Sequence, residues 1–146
     1  MAFLEREIMD LHEIIEDLKD IQKHPSSYIL GDPDFLVTAN FLTGYFWGRV
    51  NMWNFREWLV LKTSYHHDNA WWTDLVLLLA FPGRNVFINS VPDEDFARNF
   101  LLDLVIEYIR ERDVKGEDCI HQEYLKIQEK YRLEHRIDSK WFKSNE

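Results

Sequence analysis

Leu4, Ile8, Leu11, Ile15 and Leu18 recur in steps of four and three, and Ile14 and Ile21 widen the stripe. A helix turns once every 3.6 residues, so this spacing collects them on one side. It predicts an amphipathic helix over residues 3 to 23. His24-Pro25-Ser26-Ser27 ends it, because proline disfavours helix in the residue before it. A chain built this way must bury that apolar side against a neighbour, and the later segments offer more helices rather than strands.

Gly31-Asp32-Pro33-Asp34 reads as a helix start, with Asp32 as cap and Pro33 at the first helical position. Phe35 to Val50 is apolar nearly all round and predicts a buried helix, although Tyr45-Phe46-Trp47 also suits a strand. Gly44 and Gly48 lie four apart, a pattern that predicts close approach of another backbone. Asn51 or Asn54 can cap a helix through Trp58, Leu59 and Leu61. Asp68 or Asn69 can cap the next, Ala70 to Ala80, which Pro82-Gly83 stops. Its two tryptophans, Trp71 and Trp72, are expected to anchor it to neighbouring helices. Arg84 to Val91 reads as a loop with room for an extended piece at Val86-Phe87-Ile88. Ser90-Val91-Pro92-Asp93 opens a helix to about Arg112, with Phe96, Phe100, Leu101, Leu104, Val105 and Tyr108 as its buried stripe. Lys115-Gly116 breaks it. The last helix starts near Glu117 and uses Ile120, Tyr124, Ile127 and Tyr131. From about residue 138 the chain is polar except for Trp141 and Phe142. The expectation is an all-α fold over residues 1 to 146: one domain, a bundle of five or six helices with little or no sheet.

Composition narrows the function. The chain is 46% hydrophobic and 15% aromatic, enough for a packed core and too much for disorder. Its net charge is −9, which repels phosphate backbones and suits a basic protein partner instead. The single cysteine, Cys119, allows no internal disulfide and fits a reducing compartment. Acids at Glu5 and Glu7 are wrong for a secretory signal. The longest apolar run, Leu75 to Phe81, is far short of the roughly 20 residues a bilayer needs, so a cytoplasmic location without membrane contact is expected.

Candidate chemistry is sparse. His66-His67-Asp68 is the one cluster that a metal-dependent enzyme could use, but adjacent helix positions point about 100° apart and cannot share an ion. A polar loop ending in a helix cap is the simpler reading. His12-Glu13-Ile14-Ile15-Glu16 lacks the second histidine of the zinc-protease helix. Only Asp118 before His121 approximates the Glu-x-x-His of di-iron bundles. Cys119 and His121 are two apart, badly placed for a thiol and its base, so a buried or idle cysteine is expected. No phosphate loop, serine elbow or calcium loop is present, and neither cofactor nor catalytic residue is expected.

The acids remain. Residues 1 to 30 carry seven against three Lys or Arg, and so do residues 93 to 113. On the first helix Asp10, Glu13, Asp17 and Asp20 form a ridge. On the later one Asp103, Glu107 and Glu111 follow at four-residue steps, with Asp93, Glu94 and Asp95 in the first turn. The early three favour the helix dipole; the later ones gain nothing from it. These ten acids are the expected partner-binding residues. A small, acidic, aromatic-rich chain without catalytic motifs resembles, in general character, the immunity proteins that bacteria make against secreted toxins. The resemblance implies a non-catalytic inhibitor that binds a toxin domain, often a basic nuclease, and blocks its active site with acidic side chains. A helical adaptor is the other class open to such a chain, since the first helix could form a self-complementary seam in a homodimer.

Overall fold

The structure, a computed structural model, describes residues 2–49, 54–63 and 70–134, with the side chains of 2–10 and 46–49 excepted. The described residues form six α-helices: α1 Ala2–Lys23, α2 Phe35–Arg49, α3 Phe55–Thr63, α4 Trp72–Ala80, α5 Glu94–Lys115 and α6 Glu117–Glu134. The fold is all-α, and no strand occurs among the described residues, so Val86-Phe87-Ile88 is loop. No helix among them is long and apolar enough to cross a membrane.

The stripe of α1 does what its spacing requires: Ile14, Leu18 and Ile21 are buried, and Leu11 and Ile15 flank them. The Pro25–Ser27 turn closes the helix, with the His24 amide still donating to Asp20 O at 2.8 Å. The start of α2 differs from expectation. Asp34, not Asp32, caps it by accepting from the Val37 amide at 2.8 Å. Pro33 stays outside the helix, where its carbonyl accepts from Arg98 Nη1 of α5 at 3.1 Å. Helix continues to Arg49, which settles residues 45–49 as helix rather than strand. Gly44 is exposed, and a Cβ built there would meet nothing within 4 Å, so no other backbone approaches it.

Asn54 precedes α3, as the cap pattern suggested, but only its carbonyl serves the helix, accepting from the Trp58 amide at 3.0 Å. Its side chain has another task. α4 begins at Trp72 with no side-chain cap, while Asp68 and Asn69 lie outside the described residues. Trp72 meets the edge of Phe55 at 5.7 Å between centroids, as an anchor should. Trp71 does not: it is 74% exposed, because it precedes the first helical turn and points off the packed side.

α5 is the central post. It packs against α1, α2, α4 and α6, and side chains of α3 reach it as well. Ala97, Leu101, Leu102, Val105, Tyr108 and Ile109 are at most 1% exposed. With Leu104 and Ile106, also buried, this arc covers more than half the circumference and is centred near Val105. Phe96 lies nine residues earlier, half a turn away at about 100° per residue, so it faces outward and is 46% exposed. The buried stripe expected from Phe96 and Phe100 is therefore corrected: Phe100 is only half-buried, and Ala97, Leu102, Ile106 and Ile109 fill the core instead. Between α5 and α6 the chain turns on Gly116, whose φ of +88° is a conformation that side-chain-bearing residues avoid.

Since Gly44 makes no contact that a methyl would disturb, replacing it should remove backbone entropy from the unfolded chain and nothing from the fold. Gly44→Ala is expected to raise stability by about 1 kcal/mol, measured as a higher denaturant midpoint at unchanged slope.

Candidate partner-binding surface

The outward stripe of α5 carries Phe96, Phe100, Asp103, Glu107, Arg110 and Glu111, each three or four residues from the next or adjacent to it. Phe96 lies tilted beside Phe100 at 5.8 Å and meets Phe81 edge-on at 5.6 Å. Further along, Asp103 and Glu107 are exposed and Glu111 is partly so. Neighbouring helices border the stripe on both flanks. From α1, Gln22 Nε2 donates to Asp103 Oδ1 at 2.7 Å and to Asn99 O at 3.1 Å. From α3, Lys62 Nζ lies 2.7 Å from Glu107 and 3.8 Å from Glu111. The hydrogen bond to Glu107 raises the Lys62 pKa above its ordinary 10.5, against the opposing effect of burial. Lys62 is the cation placed against Glu107 and Glu111, and Arg110 is exposed on the same stripe, so three carboxylates against two cations leave it a modest negative charge.

Beneath Glu111 lies a polar network that ties three helices together. Trp58 Nε1 of α3 donates to Glu111, and Lys62 sits over the Trp58 ring at 5.2 Å. Tyr108, with no exposed surface, donates its phenol proton to Asn54 Oδ1. Asn54, equally buried, donates from Nδ2 to Glu117 O at 3.1 Å. Arg112 covers the Tyr108 ring at 5.3 Å and lies 3.6 Å from Glu117. Burial pushes the Tyr108 phenol above the ordinary value of 10.0, with Arg112 pulling the other way. One turn further, Glu57, 9% exposed, lies 2.7 Å from His121 Nδ1. Asn54, Glu57 and His121 were not singled out as a set by sequence. A polar residue in the sequence gives no sign of which distant group will satisfy it.

The other expected acids go to different places. Asp93 caps α5 by accepting from the Phe96 amide at 3.0 Å. Glu94 caps α2 from outside, accepting from the Phe35 amide at 2.8 Å. Asp95 pairs with Arg98 at 2.9 Å. On α1, Tyr45 donates to Asp17 at 2.8 Å and Tyr28 donates to Asp20. The Asp20 hydrogen bond holds the Tyr28 phenol protonated, raising its pKa above 10.0. Glu13 is exposed on the same side, and the side chain of Asp10 lies outside the described part. Position 20 is two residues from Gln22, about 200° around α1, so this ridge faces away from the flank that touches α5. The nine acids with described side chains therefore form two separate ridges, two helix caps and one ion pair, not one patch.

Cys119 is exposed rather than buried, because the packed side of α6 is set by Ile120; its Sγ lies 3.8 Å from Glu123 Oε1. His66, His67 and Asp68 lie outside the described residues, and no metal-holding cluster of His, Cys, Asp or Glu occurs among those described. No protein-family model matches the chain, and neither curated proteins nor solved structures give a significant match.

The Tyr108–Asn54 contact is testable. Tyr108→Phe leaves the buried Asn54 oxygen without its donor and should cost about 1–3 kcal/mol at pH 7. Above pH 10 the unfolded chain releases the phenol proton while the folded one retains it, so wild type loses stability as pH rises. Denaturant midpoints from pH 8 to 11 should fall less steeply in Tyr108→Phe than in wild type.

Proposed function

We propose that this chain is a non-catalytic binding protein that captures a basic protein partner on the α5 stripe, as the small bacterial immunity proteins do with toxin domains. The observation that carries this reading is the placement of Asp103 and Glu107. They stand exposed on consecutive turns, within a rim of aromatic side chains at one end. Asp103 is held by the neutral amide of Gln22, which fixes its direction without cancelling its charge. Glu107 and Glu111 share a single ammonium, which an incoming arginine with its bidentate fork can replace. Charged groups on an accessible rim act chiefly on the rate of encounter, so such a stripe favours fast capture of a positive surface.

The two separate acidic ridges supply an internal comparison. The chain would be co-expressed with a panel of basic bacterial toxin domains, and growth rescue scored. Asp103→Lys/Glu107→Lys should lose rescue and slow association by tenfold or more while the helical circular-dichroism spectrum is retained, on the order of steered-association effects. Asp17→Lys/Asp20→Lys should leave rescue close to wild type. Loss in the second variant but not the first would move the interface to α1; full rescue by both would remove acidic capture altogether.

A further inference from the structure

α6 carries Ile120, Tyr124, Ile127 and Tyr131 on one side, but their burial falls along the helix. Ile120 is 1% exposed and Tyr124 packs against the core, whereas Ile127 is half-buried and Tyr131 is 36% exposed. We infer that the second half of α6 is a self-association surface, on which α6 of a second copy lies antiparallel across Ile127 and Tyr131.

The support runs out for a geometric reason. α3 lies beside α6 and runs the same way, since Asn54 meets Glu117 and Glu57 meets His121. Thr63 is six residues beyond Glu57, so it is level with Ile127, six beyond His121. The described part of α3 ends there, and α6 continues for seven residues, about 10 Å. Ile120 is already committed to the core, so a second helix can cross only over this later half.

Charge selects the occupant and its direction. Residues 117–125 carry three acids and no Lys or Arg, while residues 126–134 carry three Lys or Arg against two acids. The helix therefore complements its own reverse and not its own repeat. Glu123 and Lys130 make this specific. They stand four residues before and three after Ile127, which places both on the same flank of it. In an antiparallel pair centred near Ile127, each Lys130 meets Glu123 of the other copy. A parallel pair sets like against like. Lys130 is exposed and makes no ion pair with another described residue, and the exposed Glu123–Lys115 pair at 3.7 Å contributes little. The antiparallel arrangement is also two-fold and closes as a dimer.

The experiment uses the full chain without any other protein. Two half-helices form a small interface, so the dimer is weak and is sought at about 0.1–1 mM chain. Sedimentation equilibrium there should give a mass approaching twice the 17.7 kDa of one chain. Ile127→Lys should leave monomer only, with the helical circular-dichroism spectrum retained. Glu123→Lys and Lys130→Glu should each weaken the dimer by about tenfold, since each reversal spoils two pairs. Glu123→Lys/Lys130→Glu should return it to near the wild-type value. Residues seven apart on a helix, about 10 Å, cannot pair within one chain, so that return can come only from crossed contacts. A wild-type chain that stays monomeric overturns the inference, as does a dimer indifferent to Ile127→Lys or to the single reversals. A double reversal that restores nothing overturns it too. If Ile127→Lys loses its helical spectrum, the three charge variants decide alone. Growth rescue enters none of these outcomes, so this inference and capture on the α5 stripe fail separately.

Discussion

The contact on which the packing of α3, α5 and α6 depends is the Tyr108 phenol against the Asn54 amide. Tyr108 is the largest fully buried side chain among the described residues, and Phe55 and Trp58 pack on its ring at 5.1 and 5.6 Å. A phenol taken into such surroundings must find an acceptor, or the burial of its ring is offset by the cost of an orphan hydroxyl. Asn54 accepts from it and passes the requirement to the Glu117 carbonyl at the start of α6. The starts of α3 and α6 are thereby placed against α5 by groups that have a single satisfactory arrangement. Apolar packing alone leaves such ends free to slide; a buried polar chain does not.

The acids follow the same economy of position. Those in the first turn of α5 complete helix ends, their own or that of α2, where free amides and the helix dipole attract a carboxylate. Those further along have no such use. They accept hydrogen bonds from Gln22, Trp58 or Lys62 at the borders between helices. One sequence feature, a run of acids, thus divides into groups that hold the fold and groups that shape a surface.

Much of this was legible beforehand. The 3–4 spacing located α1, α5 and α6, and Ser90-Val91-Pro92-Asp93 located the start of α5 because such a pattern needs only local geometry, although Asp93 is its cap rather than part of its first turn. Less legible was anything that depends on what lies opposite. Phe96 fits the apolar rhythm of α5, yet the centre of burial sits near Val105 and turns Phe96 outward. Gly44 has the spacing of a close helix contact, yet nothing lies against it. Trp71 and Trp72 are equivalent in sequence, but only one meets Phe55. Of the candidate surface, the four-residue step of Asp103, Glu107 and Glu111 was readable. Their partners Gln22, Trp58 and Lys62 were not, because each comes from a distant part of the chain.

The corner at Gly116 has a consequence for how this fold can change. Two long helices meet there through one left-handed residue, with no slack between them. Any residue added or removed at that corner advances or retards the whole of α6 by about 100°. Ile120 would swing out of the core and His121 away from Glu57 in a single step. Length variation is tolerable in the 81–93 connection but not at this joint, which behaves like a keyed shaft: it locks the phase of α6.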